Sequence, residues 1–235
     1  MGAAHARLGP SSAHRWLRCP ASIALTELIP PRPSGPAAAA GTVMHEVFER
    51  QLLGQHHFTS AEIESLAEFN VPESRARLIV DQAVTSARQT LQQFHLSEFL
   101  TETRVDPGAV IGRDDFWGTA DLIAADAATR TLLVGDLKTG RGRVDAEFND
   151  QLLSYGLGAM PLLEFEPERV VLAIYQPPVN GVRPSVWQTT PDTLREFAEF
   201  ARVQAKQTDI KNALPTPSSE ACQWCPARTI CPAHT

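Results

Sequence analysis

The middle of the chain alternates between strand-like and helical patterns, and their order limits the fold more than any other feature of the sequence. Three strand-like segments come in succession, and a short DAATR connection joins the second to the third as in a tight hairpin. A segment with helical spacing and a further buried strand follow. These five segments lie at residues 99–105, 117–126, 131–139, 146–160 and 169–177. Because helical patterns flank them at both ends, we predict an α/β core with a mixed sheet.

The flanking regions are predicted to be mainly helical. One helix is expected from the segment GTVMHEVFERQLLG, and a polar linker follows it. A long amphipathic helix is expected over residues 78–94, and another long helix from PDTLREF onward. The segment SVWQTT before the last helix predicts an edge strand. A Pro/Gly/Ala-rich stretch at residues 31–41 predicts a flexible loop. We expect residues 1–235 to form a single domain.

A carboxylate and an amine end the third strand, in the segment GDLKTG. Asp136 and Lys138 lie two residues apart, so their side chains project from the same face of a strand. Asp121, in GTADLI, lies on the preceding strand, where the two aspartates can meet. A hard divalent cation such as Mg²⁺ or Mn²⁺ offsets the repulsion between two close carboxylates. The alternative interpretation is a structural ion pair between Asp136 and Lys138.

Four further residues accompany this Asp/Asp/Lys set. His45 lies early in the helix that enters the core, Glu102 lies on the first strand, and Gln151 and Tyr155 are spaced i and i+4 on one helical face. A helix histidine is more often a surface or packing residue, and strand alternation can turn Glu102 towards either face. Only in combination with the aspartates and the lysine do these residues favour a catalytic site.

The ordered series from His45 to the QLLSY segment resembles the RecB-like nucleases of the PD-(D/E)xK superfamily. The resemblance runs from about residue 11 to residue 235 and implies a restriction-endonuclease-like core with the order α-β-β-β-α-β. One departure is that Ala120, rather than proline, precedes the first aspartate. The metal ligands that the resemblance implies are His45, Asp121, Asp136 and the backbone carbonyl of Leu137.

The same resemblance assigns roles to the remaining residues of the series. Lys138 is the implied catalytic lysine, beside the two aspartates. Glu102 matches the acid on the first core strand of the family. Gln151 and Tyr155 match the family's Q-x-x-x-Y element, which helps to place the DNA strand and the active-site groups.

The cysteines predict a second metal site. The tail carries three of them in a C-x2-C-x5-C pattern, and a fourth lies near the N-terminus. Four thiolates are the number that a [4Fe–4S] cluster needs. Iron–sulfur RecB-like nucleases, including CRISPR-associated single-domain nucleases and the AddB nuclease domain, show the same arrangement of one early and three late cysteines. The four predicted cluster ligands are Cys19, Cys222, Cys225 and Cys231.

Such a cluster would join residues 11–30 to residues 215–235. The alternative metal is zinc, because the three tail cysteines and His234 also offer three sulfurs and one nitrogen. Zinc leaves Cys19 without a role, whereas an iron–sulfur cluster employs all four cysteines. We therefore prefer the iron–sulfur interpretation and keep zinc as the alternative.

The segment SSAHRWLRCP resembles the start of phage-encoded RecB-like proteins, which suggests a phage or prophage origin. Arg15 and Trp16 place a guanidinium beside an aromatic ring, a combination that suits contact with a DNA strand. The alternative for Trp16 is that its ring packs beside the cysteine cluster.

Charge and hydropathy limit the classes of function. The formal net charge is −6, which argues against a protein that holds nucleic acid mainly by its overall charge but permits a local basic groove. Apolar runs are too short for a membrane span, and the N-terminus lacks a secretory pattern, so we expect a soluble cytoplasmic protein in a bacterial host cell without a membrane partner.

The leading functional hypothesis is a Mg²⁺- or Mn²⁺-dependent deoxyribonuclease that hydrolyses phosphodiester bonds, acting as an exonuclease on single-stranded or frayed DNA ends. A recombinase, a helicase assembly or a CRISPR integrase would suit such a domain as a partner. One alternative is a DNA-binding or partner-binding module with the same fold that does not cleave. The other is a zinc-stabilised hydrolase or adaptor.

Overall fold

The protein is built around a mixed sheet with helices on both faces. The computed structural model describes residues 6–30, 35–55, 57–164 and 166–234. Within these residues the sheet has five strands in the order β1-β2-β3-β4-β5. All neighbouring strands are antiparallel except β3 and β4, which are parallel. The strands are β1 (Phe99–Val105), β2 (Gly118–Asp126), β3 (Thr131–Leu137), β4 (Arg169–Tyr175) and β5 (Ser185–Thr189).

The helices precede, interrupt and follow these strands. They are α1 (Ala13–Trp16), α2 (Ala21–Glu27), α3 (Pro36–Leu52), α4 (Ser60–Glu68), α5 (Glu73–Gln93), α6 (Pro107–Ile111), α7 (Asp150–Leu162), α8 (Pro177–Asn180), α9 (Pro191–Gln207) and α10 (Ser219–Gln223). The predicted α/β architecture with a mixed sheet and flanking helices is confirmed. No helix among the described residues is both long enough and apolar enough to cross a membrane.

Two apolar layers cover the two faces of the sheet. Alternation along β3 sends Leu132 and Val134 into a core that includes residues of α1, α7 and α9. Leu133 and Leu137 enter a second core with residues of α3, α4 and α5. The central strands β3 and β4 are therefore buried on both faces, which is why they appear in the sequence as nearly continuous apolar runs.

The segment before the predicted first core helix is helical where we expected a loop. Helix α3 begins at Pro36, so the predicted flexible loop over 31–41 is wrong from Pro36 onward, and residues 31–34 lie outside the described residues. Proline suits the first position of a helix, and four alanines follow it with the highest helix propensity of any residue. The long helix places His45 in its middle and thereby directs it towards the sheet.

Helix α4 was not expected either, because its sequence was interpreted as a polar linker. Its start carries a capping box: the Thr59 hydroxyl accepts from the amide of Glu62, and the Glu62 carboxylate accepts from the amide of Thr59. Only Leu66 of α4 is fully buried. A helix with so narrow an apolar face leaves little periodic signal in the sequence.

Gly135 is the position in the sheet where a side chain has least room. An added Cβ would lie 2.5 Å from the Cε2 atom of Tyr175, whose ring is fully buried on the neighbouring strand. We expect Gly135→Ala to lower the free energy of unfolding by about 1–3 kcal/mol, the usual cost of overpacking a core. Chemical denaturation measures the change. Gly142→Ala, where an added Cβ meets nothing within 4 Å, is the control, and an equal loss in both variants would contradict this explanation.

Candidate metal centre and active site

Two aspartates lie at the end of the hairpin formed by β2 and β3. The ladder between these strands ends at the pair Leu122–Gly135, one position before Asp121 and Asp136. Beyond that point Asp121 replaces the backbone pairing, because its Oδ2 accepts a hydrogen bond of 2.6 Å from the amide of Leu137. The predicted proximity of the two acids therefore follows from the hairpin register. Both acids are buried.

A histidine and a third acid complete a group of candidate metal ligands. His45 of α3 places its Nδ1 3.2 Å from Oδ1 of Asp121. Glu102 lies between two residues of β1 that pair with Leu122 and Ala120, so it is opposite Asp121 on the neighbouring strand. One donor atom from each of His45, Glu102 and Asp121 lies within 4.8 Å of the other two. One nitrogen and two carboxylate oxygens form a donor set that suits a divalent cation such as Mn²⁺.

Glu102 holds an unusual backbone conformation. Its φ is +43°, in the left-handed region that residues other than glycine seldom adopt. The strand pairing recorded on either side of it is interrupted at Glu102 itself. Such conformations cost about 1–3 kcal/mol and occur often at functional sites. The strained residue in β1 is thus also the one whose carboxylate joins His45 and Asp121.

The second aspartate belongs to a separate network with α7. Gln151 donates from its Nε2 to Oδ1 of Asp136, at 2.9 Å, and to the hydroxyl of Tyr155, at 2.9 Å. The Oε1 of Gln151 accepts from Nζ of Lys138 at 2.8 Å. Lys138 Nζ also lies 2.7 Å from Oδ2 of Asp136. One glutamine side chain therefore holds the aspartate, the lysine and the tyrosine together.

The buried Oδ2 of Asp136 depends on one charged partner. Among the described residues that partner is the ammonium group of Lys138, 2.7 Å away, which also donates to Gln151. A buried carboxylate is costly unless it is well paired. An additional cation or a polarised water beside Asp136 would give it a further partner. The residues present thus fit a site for a hard cation at this end of the sheet.

Burial and mutual repulsion change the acidity of the site. Burial, followed by the negative charge of Asp121, raises the pKa of Glu102 to about 7, although the residue as a whole is exposed. Burial raises the pKa of Asp136, against the opposing charge of Lys138. Burial lowers the pKa of His45, but the hydrogen bond and charge of Asp121 outweigh it, so that pKa is raised. Burial is thus the main cause of the two acid shifts, and the charge of Asp121 adds to the pKa of all three groups.

The structure assembles the predicted residues in a different grouping. We predicted His45, Asp121, Asp136 and the Leu137 carbonyl as metal ligands, whereas the observed donor group contains Glu102 and leaves out Asp136. The contact that the structure gives for Leu137 is through its amide, which binds Asp121. Gln151 and Tyr155 were predicted to help place the DNA strand and the active-site groups, and Gln151 does contact Asp136, Lys138 and Tyr155.

The assignment of Arg15 and Trp16 to a DNA contact is wrong. Trp16 has no exposed surface, and its ring packs edge-on against Phe116 at 5.2 Å between centroids. Arg15 is also buried and donates to the hydroxyl of Thr26 at 2.6 Å. A ring that stacks on a base has to be exposed. The alternative prediction, that the Trp16 ring packs beside the cysteines, is wrong as well. Trp16 lies in the main core rather than in the small apolar cluster around Cys19.

The four cysteines line one small cavity between the two ends of the chain. Cys19 is buried and lies between α1 and α2, whereas Cys222, Cys225 and Cys231 come from the tail. All four are free thiols, and the amide of Thr216 lies 3.4 Å from the sulfur of Cys19 as a donor. Among the described residues, no three of these sulfurs and the His234 nitrogens lie within 4.8 Å of one another. The cavity therefore does not have the geometry of a single-ion site.

Gln176 lies near the candidate site but was not predicted from the sequence. Gln176 directly follows β4 and is 1% exposed. Its amide group binds the backbone of residues 140, 142 and 144, in the loop that follows Lys138. The only signal in the sequence is a polar residue at the end of a buried strand, in IYQPP, which by itself does not distinguish a functional residue from a turn.

The fold and the site together define an α/β protein with a mixed sheet and an acidic candidate metal centre at the end of its central hairpin. The chain belongs to the family described as "Protein of unknown function (DUF2800)", which it matches over residues 5–235. Among solved structures it is similar to the crystal structure of SSO0001, with 15% identity and a TM-score of 0.36, over 90% of this chain and 93% of that chain.

The raised pKa of Glu102 predicts a pH-dependent stability of the metal-free protein. A carboxyl group with a raised pKa stabilises the folded state while it is protonated, and this contribution is lost as pH rises from its ordinary value of 4.5 to about 7. In EDTA, the melting temperature of the wild type should fall across this pH range, and the melting temperature of Glu102→Gln should fall by less. Thermal unfolding followed by circular dichroism checks this. Identical pH dependence in both proteins would show that Glu102 is not desolvated.

Proposed function

We propose that this protein is a metal-dependent deoxyribonuclease that hydrolyses phosphodiester bonds at single-stranded or frayed DNA ends. One observation carries the proposal: the donor group of His45, Glu102 and Asp121 lies beside the partly buried network of Asp136, Lys138 and Gln151. The proposal includes the PD-(D/E)xK core, which is supported by the order of α5, β1, β2, β3, α7 and β4. The sequence resemblance to RecB-like nucleases points to the same activity.

His45, Glu102 and Asp121 would hold the cation, with Asp136 as a neighbouring negative group. Mg²⁺ and Mn²⁺ prefer carboxylate oxygens, and the histidine nitrogen favours Mn²⁺. When bound, such an ion polarises a phosphate oxygen and lowers the pKa of a bound water. Burial, together with the charge of Asp121, raises the pKa of Glu102 and of Asp136, and a bound cation would offset this cost of ionising two buried acids.

Lys138 is the group that would act on the scissile phosphate. An ammonium group has three donors, of which Gln151 takes one and Asp136 attracts another. The remaining N–H can donate to an attacking water or to a phosphate oxygen on which negative charge increases in the transition state. Gln151 and Tyr155 keep this ammonium in place. Both are therefore positioning residues in the proposed mechanism.

The groove beside Lys138 supports a single-stranded substrate. Lys138 and Gln151 line this groove together with Phe148 and Trp224. These two aromatic side chains are 68% and 73% exposed. Exposed rings beside a catalytic site suit the stacking of unpaired bases, which double-stranded DNA does not offer. In the cell such a domain would act on DNA ends together with a recombinase, a helicase or a CRISPR integrase.

We further propose that the cysteine cavity holds a [4Fe–4S] cluster. Four sulfurs bound to one zinc ion would lie about 3.8 Å apart, as follows from a Zn–S distance of about 2.3 Å in a tetrahedron. In a four-iron cluster each thiolate binds a different iron, so the sulfurs stand farther apart around a shared cavity. All four cysteines line one cavity, which supports a cluster that employs all four over a zinc ion held by the three tail cysteines and His234.

Removing one proposed metal ligand should abolish cleavage. We expect Asp121→Asn to reduce the rate of Mn²⁺-dependent cleavage of end-labelled single-stranded DNA by at least about 100-fold, since even outer-shell changes at metal sites cost about 10–100-fold. Asp81→Asn, the same substitution at an exposed position of α5, should retain the wild-type rate.

The same assay separates the rival functions. Equal rates in Asp121→Asn and in the wild type would remove the donor group from the mechanism. A wild-type protein that binds DNA but does not cleave it with Mn²⁺ or Mg²⁺ would favour the non-cleaving module.

The identity of the tail metal can be tested by composition. Protein purified without oxygen should be brown and contain iron and acid-labile sulfide, both of which Cys19→Ser should lose. His234→Ala should retain both, because His234 is not a proposed ligand of the cluster. Its Nε2 accepts a hydrogen bond from Arg228 at 2.6 Å instead. Elemental analysis checks both variants. A colourless protein that contains zinc, and loses it in His234→Ala, would instead establish the zinc alternative.

A further inference from the structure

The loop that follows the proposed catalytic lysine is held in one shape by a single buried side chain. Gln176 donates from its Nε2 to the carbonyls of Gly140 and Gly142, at 3.0 and 2.6 Å, and its Oε1 accepts from the amide of Val144 at 2.9 Å. We name residues 139–144 the arginine loop. A loop with two glycines is otherwise flexible, so these three hydrogen bonds give it a defined backbone.

The arginine loop presents positive charge on the surface of an acidic protein. Arg141 and Arg143 are exposed, and Arg143 shares a cavity with Arg183, which precedes β5. Arg143 forms an ion pair with Asp145 at 2.9 Å, and an exposed pair of this kind contributes little to the stability of the fold. Within the described residues neither Arg141 nor Arg183 makes an ion pair. These two cations are therefore available to an anion.

The loop also connects this positive surface to the candidate active site. Lys138, Gly140, Gly142 and Arg143 line the same groove. An added Cβ at either glycine would meet nothing within 4 Å, so the backbone is open to a close approach by a ligand. Arg143 lines both this groove and the cavity of Arg183, so it links the two.

Three of the four acids that line the groove are already paired with cations. Asp150 and Glu220 are paired with Arg18, and Asp145 is paired with Arg143. Glu147 has no ion pair among the described residues. Arg141 and Arg183 are therefore the cations on this surface that remain for the phosphates of a phosphodiester backbone.

We propose that Arg141 and Arg183 bind phosphates of the DNA strand whose scissile phosphate lies at Lys138. The arginine loop is then a substrate-binding element, and Gln176 is its positioning residue. This inference rests on the proposed nuclease function and adds the site that holds the strand. Phosphate contacts of this kind fix the position of a strand without reading its sequence.

The test compares binding and cleavage in two double variants of equal charge. Arg141→Ala/Arg183→Ala should weaken the binding of fluorescein-labelled single-stranded DNA, measured by anisotropy in Ca²⁺, on the order of 10-fold at 0.1 M salt. The slope of log affinity against log salt should fall by about 1.4, since each phosphate contact contributes about 0.7 for single strands. Arg75→Ala/Arg169→Ala removes two exposed arginines without ion pairs among the described residues and should match the wild type.

Gln176→Ala provides a second, independent variant, because it leaves both arginines in place. It should weaken DNA binding and speed hydrogen exchange at the Val144 amide, with the melting temperature largely retained. If Arg141→Ala/Arg183→Ala has the DNA affinity and salt slope of the wild type, the inference is overturned. The proposed function still stands in that case, provided that the wild-type protein cleaves DNA. A wild-type protein that neither binds nor cleaves DNA would overturn both.

Discussion

The carboxylate of Asp121 is the point at which the sheet and the helix α3 meet, and the candidate site depends on it. One oxygen accepts from the amide of Leu137 and thereby continues the hairpin beyond its last backbone pair. The other oxygen lies against His45. A buried carboxylate needs such partners because desolvation is costly. Glu102 and Asp136 add two further carboxyl groups nearby, and burial raises the pKa of both.

The second half of the site depends on α7 and on how its start is held. Gln151, in the first turn of that helix, holds both Asp136 and Lys138. Its neighbour Asp150 is paired with Arg18, which also pairs with Glu220 in the cysteine-bearing tail. Arg18, the residue directly before Cys19, therefore connects this part of the N-terminal segment to the start of α7 and to the tail. The cysteine cavity and the candidate active site are joined by direct contacts, so the proposed cluster would have a structural role in the position of Gln151.

The predictable part of the fold is the part with strong periodicity. The strands β1 to β4 and the helices α5 and α7 were expected near their observed positions, because buried strands and amphipathic helices leave apolar patterns at spacings of 2 and 3.6 residues. Helix α4 lacks a wide apolar face, and the start of α3 combines proline with alanine, so composition indicated a linker and a loop. Apolar periodicity over a short window does not reveal a helix that is stabilised mainly by its caps and by packing.

Residue types and their order along the chain determined that two aspartates, a lysine, a histidine and a glutamine could form a polar site at the end of a hairpin, because strand and helix periods decide which side chains share a face. Only the tertiary structure decided the grouping within that site. Glu102 joins His45 and Asp121 through a left-handed backbone, Trp16 is buried, and Gln176 reaches the loop after Lys138. These outcomes depend on distances between segments far apart in the chain, and local periodicity carries no information about such distances.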